Sequence, residues 1–188
     1  EGERLLDTPV VASVSNTTAI YFHPRFSGAR ADITVEFVPE THMAANDNFL
    51  VHLPNFMGTA FEGTPWLDGP SAADLTASWS SDFFLLNFSV RCGRSLPAHQ
   101  KVSATVLRQQ GMRLPLMGIS TDDFNLYTIE FRTNAVLAPK SFSSIEAVGS
   151  FTDSPYLSFG TKLGPIIPMA GHKSPIIISF IPQMRINA

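Results

Sequence analysis

The chain has 188 residues and a 44% hydrophobic content, enough to bury the core of one ordinary domain without disulfide or metal staples. Its formal net charge is -3 with no run of Lys and Arg, which excludes nucleic acid as a partner. With 14 prolines, 15 phenylalanines and 15% charged residues it differs from a helix-rich enzyme, and no stretch approaches the ~20 apolar residues of a membrane-spanning helix.

In chain order, residues 8–14 and 19–22 read as short β-rich runs around Ser15-Asn16-Thr17, and Pro24-Arg25-Phe26-Ser27-Gly28 as a loop. Residues 31–56 organise the rest of the chain. Ile33, Val35 and Phe37 alternate with Asp32, Thr34 and Glu36, the period of two that gives a strand one apolar face. Phe49, Val51 and Leu53 alternate with Leu50 and His52 until Pro54, which has no N–H to give a ladder. The two segments are expected to pair through the Asn46-Asp47-Asn48 turn.

Residues 57–73 read as a long ordered loop carrying Trp66, with Ser71 as the N-cap of one helical turn. Trp79 leads into 83–90, where Phe84, Leu86, Phe88 and Val90 share a face. The Cys92-Gly93-Arg94 turn then returns the chain into 101–107 as a second hairpin. Residues 112–116 form a short strand or edge. In 126–132, Tyr127, Ile129 and Phe131 alternate with Thr128, Glu130 and Arg132, and further strands are expected at 142–148, 156–159, 164–168 and 174–181.

About a dozen short strands with turn residues between them predict an all-β fold, a two-sheet antiparallel β-sandwich, immunoglobulin-like or jelly-roll-like, as a single domain over 1–188. The pattern of Ile33 to Phe37 recurs from Tyr127 to Phe131 at a shift of 94 (128 − 34), so two tandem immunoglobulin-like modules, about 1–94 and 95–188, are the alternative. The expected core is Ile33, Val35, Phe37, Val51, Leu53, Phe84, Leu86, Phe88, Val102, Val106, Ile129 and Phe131.

Chemistry-bearing motifs are sparse. No G-x-S-x-G elbow presents a nucleophile, and neither phosphate-cradling glycine motif occurs, so the expectation is a non-enzymatic protein without a cofactor. His23, His42, His52, His99 and His172 lack the spacing that brings two imidazoles onto one metal. Asp47, Asp122, Asp123 and Asp153 have oxygen ligands suited to calcium but no spacing rule behind them, and read as turn caps. Asn16-Thr17-Thr18 and Asn87-Phe88-Ser89 satisfy the N-glycosylation rule, which puts Asn16 and Asn87 forward as glycan sites of a secreted chain. Asn87 is expected to face away from the core beside Phe83 and Leu85, where a glycan would cover apolar surface. The sole cysteine, Cys92, permits no intrachain disulfide and is expected as a buried thiol, the alternative being a bond to another chain. Trp79 is expected in the core, whereas Trp66 in its Pro-Trp-Leu-Asp-Gly loop is the candidate platform for a sugar ring.

The segment from Ala29 to Phe37, the Asp47 turn, Leu53-Pro54-Asn55-Phe56-Met57-Gly58 and the later Gly111-Met112-Arg113-Leu114-Pro115-Leu116-Met117-Gly118 resemble the repeat modules of very large secreted glycoproteins of algae and other protists, similar in character to extracellular filament and flagellar-hair (mastigoneme) subunits. Ala45-Asn46-Asp47 departs from the "G-D" turn of that pattern, and Asn55 from its "L-P-G-F" element. The resemblance implies a structural role outside the cell, with copies of itself or sister modules and N-linked glycans as partners, and no catalytic residues. The chain begins at Glu1 without a leader, as expected of a processed piece. Near its other end, Ile176, Ile177, Ile178 and Phe180 lie in an uncharged run between Pro175 and Pro182. With Val10 and Val11 they are the candidate contact between copies, the alternative being an ordinary strand of the chain's own sheet.

Overall fold

A computed structural model describes residues 17–63, 66–132, 135–136 and 138–149, together with strands at 156–159 and 176–179. The strands are β1 (Ala19–His23), β2 (Asp32–Phe37), β3 (Asn48–His52), β4 (Leu67–Asp68), β5 (Leu75–Ser80), β6 (Leu85–Val90), β7 (Val102–Val106), β8 (Tyr127–Arg132), β9 (Ala135–Val136), β10 (Lys140–Ser141), β11 (Ser144–Ile145), β12 (Tyr156–Phe159) and β13 (Ile176–Ser179). They form a two-sheet β-sandwich, one sheet ordered β11-β1-β2-β7-β4 and the other β10-β8-β3-β6-β5. The pairing of β2 with β7 in one sheet and of β3 with β8 in the other is the arrangement at the centre of an immunoglobulin-like fold. Both pairs join the first half of the chain to the second, so a division near residue 94 would cut both sheets.

The expected hairpin of 31–56 does not form. β2 and β3 lie in different sheets, because the connection from 38 to 47 crosses the sandwich instead of folding back within one sheet. It is anchored midway by Met43, which is fully buried and exchanges two backbone bonds of 2.9 Å with Leu96. The expected hairpin of 83–107 fails in the same way: β6 joins the second sheet and β7 the first. The true hairpin partner of β6 is β5, whose Leu75, Ala77 and Trp79 point inward, a strand hidden in the sequence by small residues at Thr76, Ala77 and Ser78. Ser71 does precede a single 3-10 turn (Ala72–Asp74), but its hydroxyl accepts from the Ser103 backbone N–H at 3.1 Å instead of capping the turn.

Across the core, Phe37 of β2 and Phe49 of β3 stack with ring centroids 3.9 Å apart and planes 4° from parallel. Ile33, Val35, Val51, Leu53, Leu86, Phe88, Val102 and Val106 are buried around them as the alternation of their strands requires. Two expected core residues, Phe84 and Ile129, differ. Phe84 sits at φ 53 in the β5–β6 turn and is exposed. β8 runs in the opposite register to its sequence pattern. Val51 faces Thr128 and Phe49 faces Glu130 across the ladder, and directly opposed residues share a face, so Thr128 and Glu130 go inward and Ile129 outward. Phe131 pairs with Asn48, and its side chain lies outside the described residues. Thr128 is reconciled with burial by donating its hydroxyl to the Lys140 carbonyl at 3.2 Å. The echo between 33–37 and 127–131 therefore joins strands of opposite orientation.

The sheet edges are short or occupied. β4, β9, β10 and β11 have two residues each. Beside β5, Phe61 exchanges two backbone bonds with Trp79, and the Arg91 guanidinium donates to the Leu75 carbonyl at 2.6 Å. β13 pairs antiparallel with β12 of its own chain, from Ile176 opposite Phe159 to Ser179 opposite Tyr156, as a separate two-stranded sheet.

A candidate binding surface at one end of the sandwich

Strand directions bring the loop residues 24–31, 53–63, 66, 81–84 and 107–126 to one end of the sandwich, and the loops 38–47 and 91–101 to the other. The first end is tied together by main-chain bonds. Arg113 exchanges bonds with Met57 (2.7 and 3.1 Å), Leu114 N–H donates to the Ala29 carbonyl (2.9 Å), and Gly28 N–H donates to the Leu114 carbonyl (3.2 Å). Met112 and Leu114, buried on either side of Arg113, nail this patch to the core. Gly58 makes the close approach possible: at φ 151, a Cβ placed on it would meet the Met112 Cα at 3.1 Å. Two elements singled out in the sequence, Leu53-Pro54-Asn55-Phe56-Met57-Gly58 and Gly111 to Gly118, are thus neighbours across the Met57–Arg113 bridge.

On this scaffold the turn tips carry large apolar side chains. Leu116 and Met117 occupy the central positions of the turn closed by Gly118 N–H on the Pro115 carbonyl, and Met117 is 88% exposed. Phe124 follows Asp123 in the turn closed by Leu126 N–H and is 79% exposed. Phe26, Met57, Trp66, Phe83 and Phe84 complete the group, and among the described residues Tyr21 on β1 is the one exposed large hydrophobic side chain away from this end. Turn tips ordinarily carry Gly, Asn, Asp or Ser, so large apolar residues there have no folding reason to be present. The opposite end is polar, displaying Thr41, His42, Arg94, Ser95, His99 and Lys101.

The charges at the apolar end are divided. Arg30 and Arg113 are directly opposed across an isolated β-bridge, and Arg113 also donates to the Gly28 carbonyl at 3.2 Å. Asp82 lies in the β5–β6 turn, and Asp122 and Asp123 precede β8. Ser120 donates to Asp122, and Asn125 donates to Asp123 from its backbone (3.0 Å) and its side chain (2.9 Å). Arg25 with Glu146 and Arg108 with Asp32 form ion pairs of 3.1 Å.

Of the residues the sequence put forward, Trp66 lies on this surface, 46% exposed, with its carbonyl accepting from Leu107 N–H at 2.9 Å. Trp79 is buried and donates its indole N–H towards the Gly58 carbonyl at 3.4 Å. Asn87 faces outward on β6 but is only half-exposed: its amide donates to Ser89 Oγ at 3.2 Å, and its carbonyl oxygen is buried without a hydrogen bond. Cys92 is exposed, contrary to expectation, because it stands at the tip of the turn closed by Arg94 N–H on the Arg91 carbonyl, away from any apolar layer. Asp47 is a turn cap, accepting from Ala44 N–H at 2.9 Å. Among the described residues no three metal-binding side chains gather, and no helix is long and apolar enough to cross a membrane. Asn16, Val10, Val11, Asp153, His172 and Phe180 lie outside the described residues, and of Ile176, Ile177 and Ile178 the strand pairing is described.

No protein-family model matches the chain, and no curated protein matches it. A crystal structure of an uncharacterized protein from Nocardia farcinica with an immunoglobulin-like fold is similar over 87% of this chain and 98% of that one, at 12% identity and a TM-score of 0.39. So slight a likeness says nothing of function, and the assignment of the fold rests on the strand pairing.

Proposed function

We propose that the chain is a non-catalytic building module of an extracellular glycoprotein assembly, a filament or cell-surface structure, and that its apolar loop end is a contact surface of that assembly. The observation that carries this reading is the concentration of exposed Phe, Leu, Met and Trp side chains on turns held by main-chain hydrogen bonds. Exposed apolar patches rimmed by polar groups mark interaction sites, and a pre-ordered one costs little entropy to engage. The resemblance of 29–120 to modules of secreted glycoproteins supports the same role, and two of its elements, Leu53 to Gly58 and Gly111 to Gly118, meet at this surface. The terminal strand Ile176–Ser179 is a candidate second contact.

Electron microscopy of the native material tests the reading: Met117→Glu is expected to prevent incorporation into filaments while leaving the fold intact, and normal incorporation would remove the loop end from the contact. A second reading, a carbohydrate-binding module, is favoured only by the exposure of Trp66. Glycan-array binding that is lost in Trp66→Ala would replace the first reading with it.

A further inference from the structure

We infer that the loop end pairs with the same end of a second copy of this chain, about a two-fold axis through the Leu116–Met117 turn. This rests on the reading of the loop end as a contact surface. Three observations select a second copy. The first is composition: the loops of this end supply Phe, Trp, Met, Leu and four arginines (Arg25, Arg30, Arg108, Arg113) but no lysine, the balance of a protein-protein interface core.

The second is charge. Arg25 and Arg108 are engaged in ion pairs within the chain, whereas among the described residues Arg30, Arg113, Asp82, Asp122 and Asp123 enter none. Arg30 and Arg113 stand directly opposite each other, a like-charged pair that an external carboxylate would relieve. Within the single connection 107–126 the order is basic at Arg113, apolar at Leu116 and Met117, acidic at Asp122 and Asp123, with Phe124 beside them. A two-fold rotation about the middle of such a sequence lays the basic flank of one copy on the acidic flank of the other, twice.

The third is the nature of the opposite end. Head-to-tail stacking would set the apolar turn tips against Thr41, His42 and the ion-paired Arg94 and Lys101, stripping water from polar and charged groups that apolar tips cannot bond, so the isologous pairing is the one that satisfies both surfaces.

Sedimentation of the full chain tests this through charge reversal. At ~100 µM, where a micromolar contact is saturated, the wild-type chain is expected as a dimer. An acidic variant (Arg30→Glu with Arg113→Glu) and a basic variant (Asp122→Arg with Asp123→Arg) are each expected to weaken self-association by about tenfold or more, since every flank then meets its own sign. An equimolar mixture of the two is expected to restore the dimer, which misfolded variants would not do. A monomeric wild-type chain, variants that pair as well as wild type, or a mixture that stays monomeric would each overturn the inference. If wild type is monomeric yet Met117→Glu still blocks incorporation into the native assembly, the loop end keeps its contact role and another partner occupies it.

Discussion

Replacing Phe37 with Ala removes one half of the stacked pair at the centre of the sandwich. The Phe37 ring is 2% exposed, and Phe49 lies against it from the facing sheet at 3.9 Å. Its loss forfeits about 1.5–3 kcal/mol of transfer free energy. The cavity is walled by short, hydrogen-bonded strands that cannot collapse onto it, so the total cost is expected at about 3–5 kcal/mol. With a urea slope of about 2 kcal/mol per molar, the denaturation midpoint falls by about 2 M. The assay is equilibrium unfolding followed by the fluorescence of buried Trp79, with Phe83→Ala on the exposed turn as the control, expected within about 0.5 kcal/mol of wild type. A double-mutant cycle with Phe49→Ala should return a coupling of about 0.5–1.5 kcal/mol for the ring pair. A loss below about 1 kcal/mol for Phe37→Ala, or equal losses at Phe37 and Phe83, would refute the placement of the two sheets.

Gly58→Ala should destabilise by about 1–3 kcal/mol in the same assay, because φ 151 is closed to an L side chain and the new Cβ would press on the Met112 backbone. Cys92 should react fully with a thiol reagent such as Ellman's in the native state, at the rate of an unhindered thiol; protection until unfolding would contradict its position at a turn tip. The hydrogen bond to the Glu36 carboxylate, 2.9 Å from Lys101 Nζ, raises the pKa of that exposed ammonium. A raised folded-state value gives stability that is whole below the ordinary lysine pKa of ~10.4 and is lost as pH climbs through the folded value. Urea midpoints compared at pH 9 and pH 11 should therefore fall less in Glu36→Gln than in wild type, and an equal fall would remove the linkage.

How far the sequence could be read depended on how local the deciding interaction was. The alternation in β2 was readable because its inward residues are apolar and its outward ones polar, a pattern each strand carries by itself. β8 misled because its orientation is imposed by a neighbour: Phe49 and Val51 hold the inner face of β3, and the ladder obliges Thr128 and Glu130 to follow. Pairing partners were equally hidden. A turn such as Asn46-Asp47-Asn48 shows that the chain reverses, not whether it reverses within a sheet or across the core, and here it crosses. Of the loop end, Trp66 and Phe83 stand out in the sequence as surface candidates. Met117 and Phe124 each carry a signal, a large apolar residue within Pro-Leu-Met-Gly or Asp-Phe-Asn, but their gathering at one end comes from strand directions that no short window contains.

The closure of the sheet margins bears on how this molecule fails as well as how it works. With two-residue outer strands on most margins and Phe61 and Arg91 laid along β5, the two sheets of the sandwich offer another chain, among the described residues, almost no continuous row of free N–H and C=O groups. Crowding the folded chain should therefore produce end-on clusters that dissolve when detergent wets the apolar tips, in place of amyloid-like fibres that bind dyes and resist it.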